Sequence, residues 1–341
     1  MSDAFAPILK RLVGGEMLDA DSAAAAFGQI MSGQVGEAQM AAFLTALALR
    51  GAGDDEIVGA ARAMRGAMTT IAAPPGAIDL CGTGGDGHGT LNVSTATTFV
   101  VAACGVAVAK HGNRSISSRT GAADVLEALG VKTDLPPQAA EAMLAETNFC
   151  FLFAPAYHPA MKHVAGVRRA LGFRTIFNVL GPLCNPANVK RQLLGVFARD
   201  FVLPVANVLD ALGTAKAWVV HGGDGLDEMT TTGATHVAVL EHGKIAQRDV
   251  RPEDVGLPRA ALSALAGGDA KQNADAIRTL LSGAKGAFRD ITVLNAAAAL
   301  VVADKADDLK AGAALAAEAI DSGKAKTVLA RVASASQKAA A

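Results

Sequence analysis

Between residues 82 and 89 the chain reads Gly-Thr-Gly-Gly-Asp-Gly-His-Gly, five glycines in eight positions. Glycine loses the most backbone freedom on ordering and brings no side chain to a core, so neither a strand nor a helix can be built on this stretch. It is a loop, and its flanks say which kind. Residues 77–81 (AIDLC) form an apolar run with the length of a buried strand. After the glycines come Asn92, Ser94, Thr95, Thr97 and Thr98, then the apolar stretch 99–104. Ser94 is placed to cap a helix there. Backbone N–H groups on a glycine loop, joined by the positive end of a helix, make a site for an anion such as phosphate.

A second loop strengthens that expectation. Residues 106–109 predict another strand, and it runs into Lys110-His111-Gly112-Asn113-Arg114-Ser115-Ile116-Ser117-Ser118-Arg119. The segment is cationic, hydroxyl-rich and nearly free of apolar bulk. Either loop alone reads equally well as a solvated surface turn. Two donor-rich loops at the ends of successive strands describe a clamp for a polyphosphate. The spacing Gly82-x-Gly84-x-x-Gly87 also fits a dinucleotide fingerprint, which needs an acidic residue about twenty positions on to hold a ribose. That region is the apolar 105–109 (GVAVA), which argues against a nicotinamide cofactor. The Walker spacing is absent as well, which argues against an ATPase.

The 341 residues suffice for two domains. Residues 1–72 carry helical periodicity and no strand, with helices expected over 3–12, 20–31, 39–49 and from 54 to about 70. Asp54, Asp55 and Glu56 place negative charge at the start of the fourth, where the helix dipole favours it. Pro74-Pro75-Gly76 mark a boundary, after which strand, loop and helix alternate as in a parallel α/β sheet. Strands are expected at 149–153, 193–197 and 217–220, a hairpin over 236–250 turning near His242-Gly243, and alanine-rich helices from about 270 onward. The formal net charge of −1, with one Trp and one Tyr, gives no field or stacking surface for nucleic acid. No apolar run is long enough for a membrane span, and the N-terminus carries no hydrophobic export segment. The four cysteines show no C-x-x-C spacing and read as reduced thiols. The expectation is a soluble cytoplasmic protein that binds neither nucleic acid nor membrane.

With so little net positive charge, a polyphosphate site needs a divalent cation. Asp227-Glu228, adjacent carboxylates in the glycine-rich 221–229 loop, suit Mg²⁺, which binds through one or two carboxylates plus substrate phosphates. The Ser94 hydroxyl is a further ligand candidate. Asp86 is placed to bond a ribose hydroxyl or its own loop's amides. Arg168 and Arg169 are consecutive on a helix, so one faces solvent while the other is free to pair with a substrate carboxylate. His111 lies in the clamp as a donor to a ligand; His88, His158 and His163 read equally as surface or packing residues. No Ser-His-Asp or Cys-His arrangement supports a covalent nucleophile.

The segments GTGGDG (82–87), NVST (92–95), KHGNRSISSRTGAADVLEALG (110–130), HPAMKHVAGVRRALGFRTIFNVLGPLCNP (158–186) and DGLDEMT (224–230) together resemble the anthranilate phosphoribosyltransferases. They span most of the chain in that family's order. The resemblance implies a small all-helical domain plus a larger α/β domain with a mainly parallel sheet, the fold shared with nucleoside phosphorylases. It divides the chain into 1–72, with 160–185 packing onto it, and 73–159 with 186–341. It implies transfer of phosphoribose from phosphoribosyl pyrophosphate to the amine of anthranilate in tryptophan biosynthesis, by a homodimer using two Mg²⁺ ions per monomer. Phosphoribosyl pyrophosphate would lie on Gly82, Gly85, Asp86, Thr90, Asn92, Val93, Ser94, Thr95, Lys110, His111, Gly112, Asn113, Arg114, Ser115, Ile116, Ser117, Ser118 and Ala122. Anthranilate would meet Gly82, Asn113 and Arg168, and the metal Ser94, Asp227 and Glu228. The pattern departs at Leu91, where an aromatic is common, at Arg119 for a usual lysine and at Thr120 for a usual serine. None of these carries an assigned role. A pyrimidine nucleoside phosphorylase would not need the Asp227-Glu228 pair, and a nucleic-acid-binding relative would want a basic surface.

Overall fold

The computed structural model describes residues 5–114 and 120–339. Four helices come first: α1 (Phe5–Val13), α2 (Ala20–Met31), α3 (Glu37–Arg50) and α4 (Asp54–Gly66). Asp19 caps α2 by accepting from the Ser22 N–H at 2.7 Å. The fully buried Glu56 ties α4 to the start of α2, accepting from the Leu18 N–H at 3.0 Å and pairing with Arg50. α4 stops at Gly66, short of the residue 70 expected from its pattern. Beyond it the N–H groups of Thr69 and Ile71 go to the carbonyls of Tyr157 and Pro186, at 2.8 and 3.1 Å, as the chain crosses to the sheet.

The sheet part follows as β1 (Ile78–Gly82), α5 (Val93–Ala103), β2 (Val108–Gly112), α6 (Ala122–Ala128), α7 (Pro137–Thr147) and β3 (Phe149–Phe153). Next come α8 (Ala154–Tyr157), α9 (Lys162–Leu171), α10 (Phe177–Leu180), β4 (Arg191–Gly195), α11 (Val202–Ala211) and β5 (Lys216–Gly222). The hairpin β6 (Thr235–Glu241) and β7 (Lys244–Val250) precedes α12 (Ala270–Leu281), α13 (Ala287–Val302), α14 (Leu309–Asp321) and α15 (Lys324–Ala339). The strands form one sheet in the order β3-β2-β1-β4-β5-β6-β7, parallel through β5 and antiparallel beyond. The hairpin turns through His242 and Gly243, both at positive φ, which suits the twist of a two-residue connection. β4 begins and ends two residues before its expected span. β2 runs on through Lys110 and His111, paired with Phe151 and Leu152, so the second loop opens only after Gly112.

Successive side chains of a strand point to opposite faces, and the central strands are apolar on both. Leu80, Leu193, Trp218 and Val220 face a core closed by α5, α7 and α12 to α15, whereas Cys81, Leu194, Ala217 and Val219 face α4, α10 and α11. α13 is buried almost all round and runs through the first core. The second core continues into the helical part, where Phe27 meets Phe43 and Phe177 edge-on at 5.5 and 5.8 Å between ring centroids. α9 packs on α2 and α3, and α10 on α4. The order of strands reverses between β1 and β4, and in parallel sheets ligands collect beyond the carboxyl ends of the strands at such a crevice.

Candidate active site

The crevice is built by two strand ends and a third loop folded over both. Gly82 ends β1 and Gly195 ends β4, directly opposite in register. The segment after β5 crosses them so closely that a Cβ on Gly195 would sit 1.6 Å from the Asp227 carbonyl oxygen. A Cβ on Gly82 would sit 2.3 Å from Asp227 Oδ2. Glycine at both positions is what lets a carboxylate lie across the sheet edge. Its Oδ2 accepts the Gly84 N–H at 2.7 Å, and Gly84 and Gly85 both turn at positive φ to present the loop this way. Glu228 Oε1 accepts the Ser94 N–H at 2.9 Å, within the first turn of α5. α5 starts at Val93, with Asn92 in the capping position that the sequence assigned to Ser94. Ser94 lies one residue inside the helix because its N–H is the one Glu228 takes; an acidic side chain there is also favoured by the helix dipole.

Two asparagines that sequence reasoning passed over hold this arrangement. Asn295 is buried in α13 and pairs with both backbone groups of Met229: its Oδ1 accepts at 3.0 Å and its Nδ2 donates at 2.8 Å. That fixes the residue next to Glu228. Its signal was a lone amide inside an apolar helix. Asn273 donates to Asn92 Oδ1 at 2.8 Å and accepts from the Gly268 N–H at 2.7 Å, bracing the start of α5 from behind. Thr90 bridges to Ala266, and the Val93 and Thr95 side chains are buried beneath the helix start.

The electrostatics of the crevice are dominated by carboxylates. Asp227 and Glu228 are half-buried, and burial pushes both above the ordinary carboxyl range. Asp86 adds to the rise at Asp227, and Asp227 to the rise at Glu228, while Lys110 opposes the latter. Lys110 is almost fully buried beneath them, donating through Nζ to the Leu80 carbonyl and, at 3.2 Å, to the Ser94 hydroxyl. Among the described residues no three His, Cys, Asp or Glu side chains converge as a metal site. The donor set nonetheless fits Mg²⁺, since two acid groups that repel each other in a partly dry cleft are relieved by a divalent cation completed by phosphate and water. Asp86 itself accepts from the His88 N–H at 3.2 Å, one of its own loop's amides.

The structure divides the other expected residues. Gly112 and the exposed Asn113 lead out of β2 beside the glycine loop, with Ala122 opening α6 behind them. Ser115, Ile116, Ser117, Ser118 and Arg119 lie outside the described residues. Arg114 turns away toward α6, where it pairs with Asp124 and Glu127 and covers the Phe153 ring. The His111 imidazole does not face the clamp. It is buried, with Nδ1 3.1 Å from the Gly181 carbonyl and Nε2 3.2 Å from His158 Nε2. Burial pushes His111 down to about 3 and His158 to about 4, so both rings are neutral at neutral pH. Asp79, buried under the same strands, accepts from the His111 N–H at 3.1 Å and from Asn185 Nδ2 at 2.7 Å.

Arg169 is exposed, whereas Arg168 is half-buried with its guanidinium 5.4 Å from the Phe177 ring centroid. Burial lowers the Arg168 pKa, and among the described residues no carboxylate offsets it. An arginine kept partly dry without an acidic partner is prepared to receive one. Together these elements place backbone N–H groups and two half-buried acids at the sheet edge, with a half-buried arginine on a helix that packs against the helical part.

Comparison with known proteins gives a consistent result. Residues 6–68 match the glycosyl transferase family helical bundle domain and residues 74–326 the glycosyl transferase family a/b domain. The chain is 55% identical over 325 residues to the anthranilate phosphoribosyltransferase of Rhodopseudomonas palustris strain HaA2, covering 95% of this chain and 96% of that one. It is 56% identical over 328 residues to that of Parvibaculum lavamentivorans, covering 96% of each. The crystal structure of anthranilate phosphoribosyltransferase from Thermus thermophilus superposes with a TM-score of 0.92 at 44% identity, covering 97% of this chain and 99% of that one. The Saccharomyces cerevisiae enzyme in complex with PRPP and Mg superposes with a TM-score of 0.89 at 28% identity, covering 99% of both chains.

Proposed function

The chain belongs to the anthranilate phosphoribosyltransferase family, and we infer from this membership and from the crevice that it transfers phosphoribose to anthranilate. The donor is phosphoribosyl pyrophosphate (PRPP), and the step belongs to tryptophan biosynthesis. The observation that carries the reading is the convergence of the 82–85 loop, the start of α5 and the Asp227-Glu228 pair at the β1/β4 crevice.

In the reaction a C–N bond forms between the anthranilate amine and ribose C1 as the C1–O bond to pyrophosphate breaks. The amine proton passes to solvent, and no general base is required because an aromatic amine is already a nucleophile. The glycine loop, Thr90, Asn92, Ser94, Thr95 and the 110–118 segment bind the sugar phosphate and pyrophosphate through N–H, hydroxyl and amide donors. Donors of this kind stabilise the negative charge that grows on the leaving group. Asp227 and Glu228, with the Ser94 hydroxyl, would hold Mg²⁺, which when bound neutralises pyrophosphate as it departs. Two ions per monomer is the count that the family resemblance implies, with Asp227 and Glu228 as the acids that would share them. Arg168 receives the anthranilate carboxylate, for which its half-buried guanidinium speaks, as it meets no carboxylate among the described residues, with Gly82 and Asn113 beside the ring. Holding amine and sugar in line removes much of the entropic barrier.

The packing of α9 and α10 on the first four helices supports grouping 160–185 with 1–72 as one domain and 73–159 with 186–341 as the other. A homodimer is supported by the exposed apolar side chains of Val13, Met17 and Leu49, 67%, 52% and 84% accessible, on the mutually packed α1 and α3 and the turn after α1. Among the described residues no helix is long and apolar enough to cross a membrane, and a biosynthetic role fits the cytoplasm.

The test is loss of anthranilate fluorescence on adding PRPP and Mg²⁺, run beside Asp227→Asn/Glu228→Gln. Turnover that collapses in the double variant supports both the reaction and the metal site. Turnover untouched by it removes the metal assignment, and no turnover from folded wild type removes the function.

A further inference from the structure

Arg174 follows α9, on the helical side of the crevice, yet its guanidinium reaches across it. It lies 4.1 Å from the centroid of the Phe197 ring and donates through Nη2 to the Gly85 carbonyl. Phe197 stands just past β4, and its N–H donates to Thr83 Oγ1 at 3.0 Å. The Thr83 N–H donates in turn to the Gly195 carbonyl at 2.9 Å. The glycine loop is therefore held from two sides: Asp227 takes the Gly84 N–H from one, and Arg174 takes the Gly85 carbonyl from the other.

We propose that Arg174 is a positioning residue that sets the direction of the glycine loop's N–H donors before PRPP arrives. In a trans peptide the C=O and the following N–H point in opposite directions. Holding the Gly85 carbonyl against Arg174 therefore aims the Asp86 N–H away from it, across the loop. Glycines at positive φ impose no preference of their own, so an external contact has to choose the orientation of that peptide. The flat guanidinium is suited to this because it stacks on a ring with its face while donating from its edge, which an ammonium cannot do. The same side chain ties the loop to the segment between α9 and α10. The proposal rests on the transferase reading for its substrate but not for its loop.

The experiment compares wild type with Arg174→Ala, Arg174→Lys and Phe197→Leu by two readouts. In steady-state transfer, Arg174→Ala raises KM for PRPP about tenfold, the scale of one lost charge-assisted hydrogen bond, and moves KM for anthranilate less than about twofold. Arg174→Lys and Phe197→Leu fall between, each keeping part of the contact. In hydrogen exchange on the free protein, amides of 83–89 exchange faster in Arg174→Ala, and saturating PRPP restores protection. Unchanged exchange in a folded Arg174→Ala protein overturns the proposal, as does an equal rise of both KM values with a lowered Tm. If wild type catalyses no transfer, the functional reading fails while the exchange comparison still decides the loop's support.

Discussion

Replacing Gly195 by alanine puts a methyl carbon 1.6 Å from the Asp227 carbonyl oxygen, where ordinary contact begins at 3.4 Å, so something must move by about 1.8 Å (3.4 minus 1.6). The strand does not yield: β4 is central, paired along its length with β1 on one side and β5 on the other. The Asp227 segment yields instead, drawing its carboxylate away from the Gly84 N–H and displacing Glu228 from the start of α5. Misplacement of a reacting constellation by about 1 Å costs about 10²-fold in rate. Gly195→Ala is therefore expected to lose at least about 10²-fold in kcat/KM for PRPP, with a raised Mg²⁺ requirement. Overpacking costs about 1–3 kcal/mol of stability, which leaves a domain of ordinary stability, about 5–15 kcal/mol, folded. The assay is anthranilate consumption across an Mg²⁺ series, with Tm measured on the same preparations. Gly28→Ala is the control. A Cβ there meets nothing within 4 Å on helix α2, so it should stabilise by about 0.5–1 kcal/mol and leave activity alone. A folded Gly195→Ala enzyme with wild-type kcat/KM and Mg²⁺ dependence would refute the claim that the close approach of Asp227 builds the site.

Three further outcomes are expected. Arg168→Lys keeps the charge but loses the two-pronged fork, so KM for anthranilate rises about tenfold while KM for PRPP stays within twofold; equal shifts in both would remove the carboxylate assignment. His111 and His158 are neutral when folded, with pKa values of about 3 and about 4, and take protons when unfolded below 6.5. Acid therefore favours the unfolded chain: stability falls as pH drops from about 6.5 toward about 4, by about 1.4 kcal/mol per unit for each group. His158→Gln should shrink the difference in Tm between pH 7 and pH 4.5, and an unchanged difference contradicts the assignment. Leu49→Glu, at an exposed position near the end of α3, should convert a dimer to monomer in sedimentation analysis; a variant that sediments like wild type sends the interface elsewhere.

The architecture was largely legible in the chain. Periodicity separated the helical part from the alternating strands and helices, because amphipathic period and glycine placement are local consequences of burial and backbone freedom. The glycine loop and the Asp227-Glu228 pair could be read as anion and metal groups from residue types alone, since their chemistry does not depend on neighbours. Element ends were less legible. Beyond α4 the N–H groups of Thr69 and Ile71 go to distant carbonyls rather than continuing the helix, and β2 extends through Lys110 and His111 because β3 offers partners. The orientation of side chains in the second loop was not legible. A cationic run looks uniform in sequence, yet Lys110 goes beneath the sheet edge, His111 turns to His158, and Arg114 pairs with α6.

What the sequence determined by itself, then, was which donor, acid and guanidinium groups the chain carries, and on which kinds of loop they ride. The tertiary structure decided which of them meet. Strand order put Gly82 beside Gly195 although more than a hundred residues of chain separate them. A glycine's want of a Cβ, unremarkable at Gly195 when read along the chain, became the space in which Asp227 lies. Proximity across a sheet is a property of topology and packing, and no local pattern of residues encodes it.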